Sequence, residues 1–281
     1  MKPRALILHA NGINRDLEAA NAFEEAGAEA DIVHINQLRL GDAKWEDYQI
    51  LCIPGGFSYA DALGGGKLMA LEMNVFFSDP VREFVESGKP VIGICNGFQA
   101  LVKSGILPDL PAARPAAAGK KKAGAKTKPK VKRSPNAGRA TLTFNESGRF
   151  ECRWIYLKPS SEKCLWTRDL EELVYCPVAH GEGRFLLGDP QELKTLEAQD
   201  QVALAYVFPD GESANGTYPD NPNGSFADIA GISNARGNVL GLMPHPEDHI
   251  YGWQHPRFGR GEHGQQGLEI FLNGVEYAME M

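Results

Sequence analysis

The first hundred residues alternate short, uninterrupted apolar runs with helical patterns, and few folds accommodate that alternation. RALILHA (4–10), ADIVHI (30–35), YQILCIP (48–54) and PVIGIC (90–95) read as strands buried on both faces. Between them, NRDLEAANAFEEAGAEA (14–30) places Leu17, Ala20, Phe23 and Ala26 at helical spacing, with Asn14 as N-cap and Gly27 as the stop. PVREFVESG (80–88) reads as a second helix with Pro80 at its start. Strands alternating with helices predict an α/β fold, a mostly parallel sheet covered on both faces. Sites in such sheets form beyond the carboxyl ends of the strands, where Gly55-Gly56 and Cys95 both fall.

The second half carries more β signals: GRATLTF (138–144), RFECRWIYL (149–157), VYCPVAH (174–180), VALAYVF (202–208) and NVLGLMPH (238–245). Turn clusters such as YPDNPNGS (218–225) separate them, and QQGLEIFLNGVEYAM (265–279) predicts a closing amphipathic helix. A smaller antiparallel β element is therefore expected beside the main sheet. Residues 111–136 break the pattern. This Ala/Lys/Pro-rich stretch holds nine of the 29 basic side chains and no acid, leaving 20 basic against 36 acidic groups elsewhere. It cannot bury enough apolar surface to offset its ordering entropy, so it is expected to be a disordered, solvated insert in a single domain spanning 1–281. No aromatic residues interleave its lysines to stack on bases, so nucleic acid is not an expected partner.

No apolar run approaches the roughly 20 residues of a membrane span, and the N-terminal run is too short for a signal peptide. The five cysteines (52, 95, 152, 164 and 176) are scattered, with no C-x-x-C pair. That argues against a zinc knuckle or a disulfide framework and predicts a cytoplasmic protein.

Gly93-Ile94-Cys95-Asn96-Gly97 has the form of a nucleophile elbow, with glycines relieving the crowding of a tight strand-to-helix turn. The following helix would point its positive end at the sulfur and favour the attacking thiolate. The Asn96 N–H would face a developing oxyanion. A small core residue at a strand end explains Cys95 about as well when this stretch is taken alone. LGLMPHPEDH (240–249) supplies a candidate base, His245, and a candidate orienter, Glu247, on one side of an extended segment. A surface loop with a structural histidine is the competing reading. The spacings of His245, His249, His255 and His263 fit no familiar metal-ligand pattern, so no metal is expected. IPGGFSYAD (53–61) offers backbone N–H groups at a strand end, as an oxyanion hole requires. ALGGGKLM (62–69) lacks the first glycine and the Ser/Thr of a phosphate loop.

Cys95, then His245 and Glu247, each at a strand end, resembles the class I glutamine amidotransferases, whose fold is flavodoxin-like. PGGFSYAD, GICNGFQ, LTFNESGRFECRW, PVAHGEGRF, YPDNPNGS, IAGISNARGNVLGLMPHPE and WQHP are similar to the glutaminase subunits of phosphoribosylformylglycinamidine synthase within that family. The resemblance implies that Cys95 attacks the amide of L-glutamine, that His245 shuttles the proton and that Glu247 orients His245. It implies that Gly56, with the Asn96 backbone, holds the oxyanion, and that Phe57, Gln99, His180, Gly181 and Glu182 line the glutamine pocket. It implies no cofactor in this chain. ATP and Mg are expected on a partner synthetase subunit, which receives the ammonia, with a small accessory subunit as a possible third component. A glutaminase of GMP or imidazole-glycerol-phosphate synthesis is the alternative within the family, and a stress-response protein of the same fold the alternative outside it. Ala60 stands where the family pattern has glycine (FSYGD), a change that is harmless at negative φ and costly at positive φ.

Overall fold

A computed structural model describes residues 2–111, 136, 138–264 and 266–281, so residues 112–135 of the insert lie outside the described residues. The first half runs β1 (Arg4–His9), α1 (Asp16–Glu25), β2 (Glu29–His34), α2 (Ile35–Leu40), β3 (Ile50–Ile53), α3 (Lys67–Phe76), α4 (Ser78–Glu86), β4 (Val91–Ile94) and α5 (Asn96–Ser104). The second half runs β5 (Ala140–Thr143), β6 (Glu151–Pro159), β7 (Val174–His180), β8 (Arg184–Leu187), α6 (Leu193–Ala198), β9 (Val202–Val207), β10 (Ile229–Ser233), β11 (Val239–Leu242) and α7 (Gln266–Glu280).

Nine strands form one sheet in the order β2-β1-β3-β4-β11-β10-β9-β6-β7. The five from β2 to β11 are mutually parallel, and each later neighbour is antiparallel to the one before. All strands but β10 and β6 therefore point the same way. β5 and β8 pair antiparallel as a separate two-stranded sheet. Most of the antiparallel signal in the second half thus extends the main sheet, and only this pair stands apart.

β3, β4 and β11 are buried along their whole length, as their unbroken apolar sequences require. β7 alternates buried and half-buried residues with period two, as a strand covered on one face does. α1 packs on α7, where the Phe23 ring meets Phe271 edge-on at 5.1 Å, and the Phe98 ring of α5 stacks on Phe185 of β8. Two expectations for α1 fail. Its N-cap is Arg15, without a side-chain cap bond, and Leu17 is 66% exposed while Ala19, Ala20, Ala22 and Phe23 are buried. Asn14 is drawn elsewhere: its backbone nitrogen lies 2.8 Å from where a Cβ on Gly56 would sit.

α5 lies unusually close to the sheet. A Cβ on Gly97 would fall 1.8 Å from the Ile53 carbonyl oxygen, one on Gly241 would fall 2.1 Å from the Phe98 ring, and one on Gly93 would fall 2.5 Å from Leu101. Among the described residues no helix is long and apolar enough to cross a membrane.

Candidate active site

β4 ends one residue before Cys95 and α5 begins one residue after it, so the cysteine forms the corner. Its backbone is forced to φ 49°, ψ −101°, and its N–H donates to the Leu242 carbonyl at 2.8 Å. A non-glycine residue held in such a conformation marks a place where the surroundings over-determine the backbone. Gly93 and Gly97 make the corner possible, because α5 touches β3 and β4 there without side chains between them. The sulfur lies 3.8 Å from the Ala179 carbonyl of β7, in the groove between the two strand ends.

His245 follows β11, and its N–H is held by the Pro177 carbonyl of β7 at 2.8 Å. Its Nδ1 meets Glu247 Oε1 at 2.7 Å, both side chains fully buried. The carboxylate arrives by a route the sequence did not anticipate. Pro246–Asp248 is a single 3-10 turn, which folds Glu247 back under the ring instead of alternating along an extended strand. His245 Nε2 makes no well-aligned hydrogen bond, yet Cys95 is close enough to act on it by charge and by hydrogen bonding. Burial pulls the imidazole pKa down, but Glu247 and Cys95 outweigh it and hold the ring well above its ordinary value. The arrangement favours a protonated His245 held by Glu247 beside the Cys95 sulfur, a group able to act as an acid.

Gly56 has φ 141° and sits against the 12–14 segment, with Ile13 bridged to it in antiparallel fashion. The Phe57 and Tyr59 N–H groups are held by the Gly12 and Asn11 carbonyls at 2.8 and 2.7 Å. Asn96 opens α5, so its N–H has no acceptor within the helix. Its side chain fastens the same loop, accepting from Ser58 N–H at 3.2 Å and donating to Asp61 at 3.0 Å. Tyr59, Ala60 and Asp61 all lie at positive φ, between 49° and 55°. Ala60 is therefore a strained left-handed residue at the position where the family pattern has glycine.

A cavity of about 140 Å³ opens beside Cys95, and Gly56, Phe57, Gln99, His180, Gly181 and Glu182 all line it. Asp61, Phe144, Phe150 and Ala179 complete its wall, and none of these was singled out from the sequence. Phe57 and Phe150 are half exposed at the mouth, their ring centroids 6.4 Å apart. Gln99 is a wall whose amide is committed at both ends, to Asn96 at 2.9 Å and to the Glu182 carbonyl at 2.8 Å. The Glu182 carboxylate accepts from Gly65 N–H at 3.1 Å and has Lys103 at 3.8 Å.

His180 is fixed from behind. Its Nδ1 meets Asn145 Oδ1 at 3.1 Å and its Nε2 meets Asn223 Nδ2 at 3.5 Å; Asn223 also donates to Tyr206 and the Gly183 carbonyl. Burial above all, then the neighbouring positive His245, lowers its pKa to about 3. The ring is neutral across the physiological range, donating to Asn145 and accepting from Asn223. Asn145 lies in LTFNESGRF and Asn223 in NPNGS, which gives both sequence motifs one physical purpose.

Among the described residues no group of three or more His, Cys, Asp or Glu side chains is placed to hold a metal ion. His249 and His255 pack instead against Trp154 and Tyr175. A larger cleft of about 450 Å³ lies between α3, α4 and the loop after α5, and contains none of the triad. The smaller cavity is the one that adjoins Cys95 and Gly56.

Comparison with known proteins defines the class first. The model of the CobB/CobQ-like glutamine amidotransferase domain matches residues 2–278, and the chain belongs to that family. A glutamine amidotransferase from Thermotoga maritima shares the fold at 14% identity and a TM-score of 0.54, each chain fully covered. More particular relatives follow. The phosphoribosylformylglycinamidine synthase subunit PurQ of Treponema denticola is 53% identical over 285 residues, covering 99% of this chain and 100% of that protein. The PurQ subunit of Dehalococcoides mccartyi is 43% identical, covering 100% and 99%. A chain in the solved structure of PurLQS from Thermotoga maritima is 30% identical with a TM-score of 0.69, and 99% of each chain is covered.

Proposed function

We propose that this chain is the glutamine-hydrolysing subunit of phosphoribosylformylglycinamidine synthase, acting in purine biosynthesis in the cytoplasm as a single domain. The full-length likeness to PurQ subunits supports the assignment. One observation carries the chemistry: the buried His245–Glu247 pair, 2.7 Å apart, faces an elbow cysteine beside a small cavity.

The Cys95 thiolate attacks the side-chain amide carbon of glutamine, and the oxyanion forms between the Gly56 and Asn96 N–H groups. The imidazolium of His245 gives its proton to the amide nitrogen as the C–N bond breaks, leaving a γ-glutamyl thioester and ammonia. The neutral imidazole then takes a proton from water, and hydroxide displaces Cys95 to give glutamate. Glu247 holds Nδ1–H throughout and so aims Nε2 at the sulfur. His180, Gly181, Glu182, Gln99 and Phe57 shape the pocket. The chain itself needs no cofactor; ATP and Mg act on the partner synthetase subunit, which takes the ammonia onto formylglycinamide ribonucleotide, with an accessory subunit completing the complex.

The test is Cys95→Ala in the reconstituted complex. Glutamine-dependent synthesis should vanish while synthesis from added ammonium salt continues at its normal rate. Loss of both activities would make Cys95 structural.

A further inference from the structure

The NRD stretch (14–16) needs more than a capping role, because Arg15 stands at the N-cap and makes no cap bond with its side chain. The segment it belongs to is fastened to the oxyanion loop by the Ile13–Gly56 bridge and by the bonds from Phe57 and Tyr59 N–H. Its neighbour Asp16 is anchored to His9 of β1 at 2.7 Å. The Arg15 stem packs on Gly55: a Cβ there would lie 3.4 Å from Arg15 Cγ and 2.7 Å from the His245 ring. Beyond Gly55 the guanidinium Nη1 donates to both Glu18 Oε1 at 3.0 Å and Asp248 Oδ1 at 3.5 Å. Asp248 is the last residue of the turn that begins at His245 and contains Glu247.

We propose that Arg15 is a positioning residue of the glutaminase reaction, tying the turn that carries His245 and Glu247 to the segment that holds Gly56. The proposal rests on the triad reading above. One side chain then fixes the separation between the acid–base pair and an oxyanion donor. Those groups come from opposite ends of the sequence and share no covalent frame. A single terminal nitrogen, Nη1, engages both carboxylates, a task that a lysine ammonium with its three donors can also perform.

The clasp responds to pH through Asp248. The charged groups around Asp248 are Glu247 and His245 in its own turn and Arg15 and Glu18 from the start of α1. Cys176 of β7 also senses its charge, and α7 presents Gly267 to the turn. Burial first, and Glu247 next, push the Asp248 carboxyl up to about 6, against the pull of His245 and Arg15. The ion pair with Arg15 is therefore complete only above that pH.

The experiment measures glutamine-dependent synthesis by the complex for Arg15→Gln, Arg15→Lys, Asp248→Asn and the double variant Arg15→Gln/Asp248→Asn. A misplacement of about 1 Å costs ~100-fold in rate, so Arg15→Gln should lower kcat by roughly 10- to 100-fold. The KM for glutamine and the ammonia-dependent rate should stay close to wild type. Arg15→Lys should recover most of the loss, and the double variant should be no slower than the worse single one. The acid limb of kcat near pH 6 should vanish in both Asp248→Asn and Arg15→Gln, because each removes the ion pair whose breaking it reports. An unchanged kcat in Arg15→Gln, additive losses in the double variant, or a persisting acid limb overturns the proposal. Cys95→Ala, run alongside, reports on the triad reading separately, since its outcome does not depend on Arg15.

Discussion

His180 should make the fold acid-sensitive by an amount that follows from its burial. In the folded chain the imidazole has its pKa lowered to about 3, against 6.5 when free. A histidine whose folded pKa is depressed contributes stability above its unfolded pKa, and that contribution is lost as pH falls below it. At pH 4.5 the unfolded imidazole is protonated and the folded one is still neutral. The gap of two pH units below the unfolded pKa corresponds to roughly 2–3 kcal/mol, nearly all of it lost on going from pH 7. The perturbation is His180→Gln, which keeps a donor and an acceptor for Asn145 and Asn223 but cannot titrate. Urea unfolding followed by tryptophan fluorescence at both pH values gives the two stability differences. All other carboxylates and histidines are common to both proteins, so they cancel in the comparison. The wild type should lose roughly 2–3 kcal/mol more than the variant over this interval. Parallel losses, within about 0.5 kcal/mol, would refute the reasoning and mean that His180 is not held neutral by burial.

Two further substitutions test the backbone around the site. Ala60→Gly relieves a left-handed alanine, worth about 1–2 kcal/mol, against about 0.4–1 kcal/mol of added freedom in the unfolded chain. The melting midpoint should rise by about 1–2 °C, and a fall would show that Ala60 does not hold positive φ in solution. Gly97→Ala places a methyl group 1.8 Å from the Ile53 carbonyl oxygen and must push α5 off β3. A loss of about 3 kcal/mol or more is expected in chemical unfolding; a neutral result would contradict the close approach.

The parts of this protein that were readable in the sequence are those with a local cause. β1, β3 and β4 are unbroken apolar runs because both their faces are covered. Cys95 stood out through its glycine frame, and His245 with Glu247 through their place at the end of β11. α2 escaped because six residues are too few to show a period. α3 escaped because Leu71, Val75 and Phe76 are exposed opposite its buried Met69 and Met73, which blurs any apolar stripe. β10 escaped because Gly231 sits in its middle, where a Cβ would crowd β11. Asn145, Asn223 and Tyr206 could not be seen as His180's supports, since each is ordinary until two distant loops meet at the ring and β9 backs Asn223. Asp61 was passed over for a related reason: it becomes part of the cavity only through Asn96, 35 residues away.

The contact between α5 and the sheet also bears on how a partner subunit could be sensed. Gly97 brings the backbone of α5 against Ile53, and Gly93 and Gly241 leave room only for the Leu101 and Phe98 side chains, so little space remains there for a second arrangement. The cysteine is mounted on a stiff joint, and a signal arriving at this surface cannot be registered by sliding α5. The loop from Gly55 to Asp61 is no looser, because Gly12, Asn11 and Asn96 hold it while three successive residues sit in a sparsely populated backbone region.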